Sequence, residues 1–207
     1  MKNLLFLSLI LTSILTLTSC KKEKQNTTDN DVEVENYIID IENSVINWTA
    51  YKTSEKIPVK GIFKNVDIKK SKSAANRLEV LQGLEFEVPV SSIFSKDSIR
   101  DYKLVTYFFG VMENTLNLSG KINVQENGKG NINLTMNGLT KELPFTYEIK
   151  GEIIEMNTSM DLDNWQAQAA ISALNEVCNE KHKAADGISK TWNEVALQIQ
   201  VKTLTEE

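Results

Sequence analysis

The sequence predicts an all-β domain with two short helices, built as an eight-stranded antiparallel β-barrel. Three observations carry this. Between residues 115 and 162, apolar and polar residues alternate one by one through four successive runs. A strand's side chains switch faces at every residue, so such alternation makes one oily face and one wet face. The runs are separated by turn chemistry, Glu126-Asn127-Gly128, Asn137-Gly138 and Lys150-Gly151-Glu152. Further alternating runs flank this meander on both sides and bring the number of strands to about eight, enough to close a barrel that is either filled or holds one small ligand. A two-sheet sandwich obeys the same alternation and stays open as the rival.

In chain order, residues 44–52 set Ile46, Trp48 and Ala50 against Val45, Asn47, Thr49 and Tyr51. Val59, Gly61 and Phe63 share the next inner face, after which Val66 and Ile68 fall out of phase. A bulge near Lys64-Asn65 explains the slip, and Gly61 inside a strand marks a bend or close approach. After a polar loop at 71–76, Leu84, Phe86, Val88 and Val90 form a strand whose Pro89 points to an end or edge. A loosely patterned helix is expected from Ser95 to about Tyr107, with Ser95 as N-cap and Asp97 in the first turn.

The meander follows, with Leu116, Leu118, Gly120, Ile122 and Val124 inward in its first strand and Ile132, Leu134 and Met136 in its second. Its third places Leu143, Phe145, Tyr147 and Ile149 inward, and its fourth Ile154, Met156, Thr158, Met160 and Leu162. A second helix is better signed. Asp163 can cap it, Gln166 sits three residues on, and Leu162 can staple onto Ala167. Ala167, Ala170, Ile171, Leu174, Val177 and Cys178 make its apolar stripe, and Gly187 offers a stop. The closing strand spans 193–203 with Val195, Leu197, Ile199 and Val201 facing in.

The front of the chain is a targeting segment. Lys2 precedes an apolar run at 4–17, about fourteen residues, which suits a signal peptide and falls short of a membrane span. Leu17-Thr18-Ser19-Cys20 resembles the lipobox of bacterial lipoproteins, in which the cysteine is lipidated and becomes the first mature residue. Residues 1–19 are thus expected to be a lipoprotein signal peptide, Cys20 a lipid anchor to a membrane, and 20–36, poor in large apolar residues, a flexible tether. An ordinary secretory signal with a chance cysteine is the alternative. Residues 37–207 then form one domain.

The net charge of −5, with no basic stripe, argues against nucleic acid as a partner. With Cys20 lipidated, Cys178 has no disulfide partner within the chain.

Four segments resemble the YceI-like family, lipocalin-like polyisoprenoid-binding domains of the bacterial envelope. Ile39-Asp40 followed by Asn43-Ser44-Val45-Ile46-Asn47-Trp48 looks like the family's opening strand, and Val59-Lys60-Gly61-Ile62-Phe63 like its V-x-G-x-F segment. Ser98-Ile99-Arg100-Asp101-Tyr102-Lys103-Leu104 with Tyr107-Phe108-Phe109 is similar to its R-D-x-H-L-x-S-x-D-F-F helix, with Lys103 at the histidine position. Tyr107 and Gly110 replace acidic positions, and Asn114-Thr115 lacks the usual proline. Gly138-Leu139-Thr140-Lys141 resembles its G-V-T-K turn. The resemblance implies an eight-stranded lipocalin-like barrel over 37–207. It also implies a quinone or polyprenyl lipid in an apolar bore, in an envelope protein of the periplasm or outer membrane.

The ligand-lining candidates are Trp48, Phe63, Phe86, Leu118, Ile122, Leu134, Phe145, Tyr147, Leu197 and Ile199; the competing reading is that they simply fill the barrel. In that case the protein is a scaffold that binds another protein. Tyr102, Phe108 and Phe109 are candidates for a lid. Cys178 and His182, four apart on a helix, have metal-ligand spacing, but no other histidine exists and Cys178 sits on the apolar stripe. Asp161 and Asp163 lack the glycine and twelfth-position acid of a calcium loop. Asp97 and Asp101, one helical turn apart, read as a solvated helix face, or as Asp101 paired with Arg100 or Lys103, rather than as an acid–base dyad. No catalytic set appears, so neither an enzyme nor a metal or other cofactor is expected, and a homodimer is left open.

Overall fold

The computed structural model describes residues 35–206. The predicted signal peptide at 1–19 and the anchor Cys20 lie outside the described residues, as does nearly all of the predicted tether at 20–36. The strands are β1 (Tyr37–Lys52), β2 (Ile57–Phe63), β3 (Asp67–Lys70), β4 (Glu85–Pro89), β5 (Ile93–Phe94), β6 (Asn117–Gln125), β7 (Lys129–Met136), β8 (Leu139–Lys150), β9 (Ile153–Asp161) and β10 (Thr191–Thr205). Every pairing is antiparallel, in the order β3-β4-β6-β7-β8-β9-β10-β1-β2-β5.

Ten strand segments stand where eight strands were expected, because two strands are broken. β3 continues β2 after an interruption at Lys64, Asn65 and Val66, next to the expected bulge, and β5 continues β4 after a 3-10 turn at Val90–Ser92. β2 pairs with β5 through Ile62↔Phe94 and Phe63↔Ile93, and β3 pairs with β4 through Asp67↔Glu87 and Ile68↔Phe86. The breaks are bridged by the Lys64 amide donating to the Ser92 carbonyl (3.0 Å) and the Ser92 hydroxyl to the Asn65 carbonyl. The two ends of the sheet order are thus halves of strands already joined, and the sheet returns on itself as an eight-stranded barrel. Asn137-Gly138 turns β7 into β8 with φ values of 51° and 68°, the mirror-image turn that strand twist favours.

The alternation gives most inward residues correctly, with two exceptions. Leu116 precedes β6 and is 82% exposed, and Ile149, near the end of β8, is 48% exposed. The first helix is shorter than expected. α1 (Ser98–Lys103) is capped by Asp97, whose carboxylate accepts from the Ile99 and Arg100 amides, while Ser95 instead donates its amide and hydroxyl to Asp101. Asp101 is therefore not paired with Arg100 or Lys103; it is Asp97 that meets Arg100, at 3.3 Å.

The second helix also starts differently. Asp161 accepts from the Asp163 amide and caps a 3-10 turn at Leu162–Trp165; Gln166 is left-handed (φ 54°), and α2 (Gln168–Val177) follows. Its stripe is as expected, with Ala167, Ala170 and Leu174 buried. A short α3 (Asn179–His182) extends it past Cys178, so Gly187 does not end it and lies in a later turn.

Three inward aromatic residues sit directly opposite glycines on the neighbouring strand: Trp48↔Gly61, Phe86↔Gly120 and Phe145↔Gly130. Each ring covers the space a Cβ would take. A Cβ on Gly61 would approach the Phe94 carbonyl oxygen to 2.6 Å as well as the Trp48 indole, and one on Gly130 would meet the Asn123 oxygen at 2.6 Å. At Gly120 the first obstacle is the end of the Phe86 ring, at 2.7 Å, which can swing. Gly61→Ala and Gly130→Ala are therefore expected to lower stability by about 1–3 kcal/mol, and Gly120→Ala by less, read as urea midpoints at unchanged m.

Candidate functional site

The barrel is filled at one end and hollow at the other. Register fixes the depth of each inward residue. At the filled end lie Phe145 (4% exposed), opposite Gly130, and Tyr147, whose hydroxyl donates to the Gln125 carbonyl. Val80 and Leu81, from the 3-10 turn at Glu79–Leu81, are fully buried with Ile154 and Met156.

Toward the other end the side chains enclose a hollow of about 130 Å³. β1 supplies Ile46, Trp48 and Ala50, β4 Phe86 and Val88, β7 Ile132, Leu134 and Met136, and β10 Val195, Leu197 and Ile199. Phe63, Leu118, Leu143 and Met160 complete the wall. Thr191 carries the one hydroxyl among the lining side chains. A smaller space of about 50 Å³ adjoins it and shares Ile46, Phe86, Ile132 and Ile199 with it.

Of the ten predicted lining residues, Trp48, Phe63, Phe86, Leu118, Leu134, Leu197 and Ile199 meet around the main hollow. Ile122 faces the smaller space, while Phe145 and Tyr147 border neither. Strand alternation identifies the inner face but carries no information on depth, and these last two share the face without reaching the hollow.

One end of the hollow is closed by the segment that resembles the family's R-D-x-H-L-x-S-x-D-F-F helix. After α1 the chain widens into a π-helical stretch at Leu104–Phe108 and then a 3-10 turn at Phe109–Val111. This turns Leu104, Phe108 and Phe109 into the hollow, with Phe109 packed edge-on to Phe63 (6.4 Å) and to Phe108 (4.9 Å). Tyr102 is 60% exposed and lies outside the lining of either hollow. Leu174 of α2 and Trp192 at the start of β10 were not among the predicted lining residues; the apolar stripe of α2 was the available signal for Leu174.

A second hollow of about 110 Å³ opens at the capped end and shares Trp48, Ala50, Leu104, Leu174 and Thr191 with the first. Its chemistry differs, for Lys52, Asp97, Arg100, Lys103, Lys181 and His182 line it. Cys178 and His182 both border this space, as their spacing allowed. Among the described residues no three His, Cys, Asp or Glu side chains gather as a metal set. His182 Nδ1 lies 2.8 Å from the Thr191 hydroxyl, which itself donates to Asn175 Oδ1. That leaves a lone pair of Thr191 for a proton on Nδ1 of a neutral imidazole. Burial, reinforced by the charges of Lys52 and Lys103, pushes the His182 pKa down from 6.5 to about 4. The Asp97 carboxyl is held below the usual range, first by the Arg100 amide it accepts from, then by the charges of Arg100 and Lys181.

The sequence model of the YceI-like domain matches residues 37–203. A polyisoprenoid binding domain from Saccharophagus degradans, implicated in plant cell wall breakdown, superposes with a TM-score of 0.60 at 10% identity, over 82% of this chain and 98% of that one. BcnA of Burkholderia cenocepacia superposes with a TM-score of 0.54 at 14% identity, over 81% and 99%. At these identities the likeness is one of fold. No curated protein matches the sequence.

The His182 geometry sets a pH dependence. A histidine whose folded pKa lies below its unfolded value is disfavoured when charged, so stability is intact above about pH 6.5 and falls as the pH drops toward about 4. Thermal melts across that window are expected to show a falling Tm that His182→Gln flattens.

Proposed function

Because this chain belongs to the YceI-like domain family, we propose that it binds an isoprenoid lipid, a quinone or a polyprenyl chain, in the bore of its barrel, and works by binding without catalysis. The observation that carries this is the hollow of about 130 Å³ whose walls are hydrocarbon, aromatic rings and the thioethers of Met136 and Met160, apart from the Thr191 hydroxyl. Such a wall recognises length and bulk and needs no directed hydrogen bond. A tail that buries a dozen carbons gains on the order of 10 kcal/mol, at about 0.8 kcal/mol per CH₂, before the costs of ordering. The main hollow alone is near the size of a benzene-binding cavity, about 150 Å³. A longer tail therefore also occupies the adjoining spaces and displaces side chains such as Phe108 at the cap. The relative from Saccharophagus degradans, described as a polyisoprenoid binding domain, has the same fold, which supports the reading.

In this reading the protein is a lipoprotein of the cell envelope, in the periplasm or at the outer membrane, held through Cys20. In the same reading, residues 20–36 link that anchor to the barrel domain.

Two experiments test it. Native mass spectrometry of the full-length chain with a short-chain quinone and a prenol is expected to show a one-to-one adduct, and the absence of both adducts removes the reading. Ala50→Phe, placed between the two hollows, is expected to weaken that binding about tenfold with an unchanged far-UV spectrum. Separately, Cys20→Ser is expected to move the protein from the membrane fraction to the soluble one.

A further inference from the structure

The apolar bore explains how a tail is held but leaves its mouth unexplained. Among the residues lining the mouth, four are cations, Lys52, Arg100, Lys103 and Lys181, and a single one, Asp97, is an acid. Asp97 is already engaged: Arg100 lies at 3.3 Å, and the carboxylate accepts from two amides of α1. Among the described residues no carboxylate lies within 4.0 Å of Lys52, Lys103 or Lys181. This occurs in a chain of net charge −5, whose acids outnumber its bases.

Two of the ammonium groups touch the backbone where α2 and α3 end. Lys103 Nζ donates to the Val177 carbonyl and Lys52 Nζ to the Lys181 carbonyl at 3.2 Å. A helix C-terminus favours a cation there. Each ammonium has three N–H groups, however, so these contacts leave donors and nearly the whole charge unused. The field of Lys52 and Lys103 is strong enough at His182 to help keep that ring neutral. Unpaired like charges around one small space repel one another, and an anion entering it relieves the repulsion and accepts charge-assisted hydrogen bonds.

Resting on the proposed bore, we infer that the ligand is an anionic amphiphile, a prenyl phosphate, with its phosphate among Lys52, Lys103 and Lys181 and its tail in the apolar hollow behind. The two spaces meet along Trp48, Ala50, Leu104, Leu174 and Thr191, so a single molecule crosses from one to the other without leaving the protein. A quinone, being neutral, leaves these cations without a counterion. This selects the phosphate-bearing class.

The test uses the full-length chain and the fluorescence of Trp48 and Trp192, which both line the hollow, with geranylgeranyl monophosphate, geranylgeraniol and inorganic phosphate as probes. The prenyl phosphate is expected to bind at least about tenfold tighter than the alcohol of the same tail. That advantage should shrink severalfold in about 0.5 M salt and in Lys52→Gln/Lys181→Gln, with the affinity for the alcohol unchanged. The salt titration of the unaltered protein reads the same charge term if the double variant does not fold. Equal binding of phosphate and alcohol overturns the inference and leaves the bore intact. Inorganic phosphate competing as strongly as the prenyl phosphate also overturns it, by making the mouth an anion site with no tail. Binding of neither lipid overturns it together with the reading it rests on.

Discussion

The hollow depends on rings that lie along the wall. An eight-stranded barrel is just wide enough for its own side chains to fill it. Trp48 and Phe86, pointed across the bore, would occupy much of the space that stands free. Each instead rests on a glycine of the next strand, Gly61 or Gly120, where the missing Cβ lets the ring settle against backbone. Phe145 on Gly130 follows the same rule at the filled end, where it borders neither hollow. The difference between the two ends is therefore one of what surrounds the ring, while the ring–glycine pairing is common to both.

The wall and the mouth divide the chemistry. Deep in the barrel no charged side chain lines the spaces, and burial alone operates. At the mouth, among the described residues, Lys52, Lys103 and Lys181 have no carboxylate within 4.0 Å, and Asp97 is the one acid beside them, whereas several lysines of the outer wall are paired. Glu85 meets Lys70 and Lys121, and Glu155 meets Lys150. Surface pairs of that kind contribute little each, but they show where the fold balances its charge.

How much of this was legible depends on the kind of signal. The Asn137-Gly138 turn, the inner faces of β7 and β9 and the stripe of α2 follow from local chemistry and were readable. Leu116 and Ile149 show the limit: they keep phase with their strands but sit at ends where no partner covers them. Ser95 and Asp97 are both good caps, and what decides between them is that Asp101, six residues on, takes the Ser95 amide and hydroxyl. The π-helical stretch breaks the helical spacing, so of the three lid candidates Phe108 and Phe109 line the hollow while Tyr102 points away from it. Alternation could not separate Phe145 and Tyr147 from Leu134, since depth along the axis is a property of the closed barrel. The lysines of the mouth lie far apart in sequence, between positions 52 and 181, and only the fold brings them together.

The broken strands bear on how such a barrel behaves when loaded. Most neighbouring strands are laced by runs of paired residues, seven between β1 and β2 and eight between β7 and β8. Along the join of β2 with β5 there are two such pairs, Ile62↔Phe94 and Phe63↔Ile93. That join stands beside Phe63 and Ile93, which line the hollow. A tube stiff around most of its girth and lightly stitched along one line yields at the stitching when something broad is pushed in. The circumference is thus adjustable on one side alone, and the guest that stretches it leans on Phe63 and Ile93.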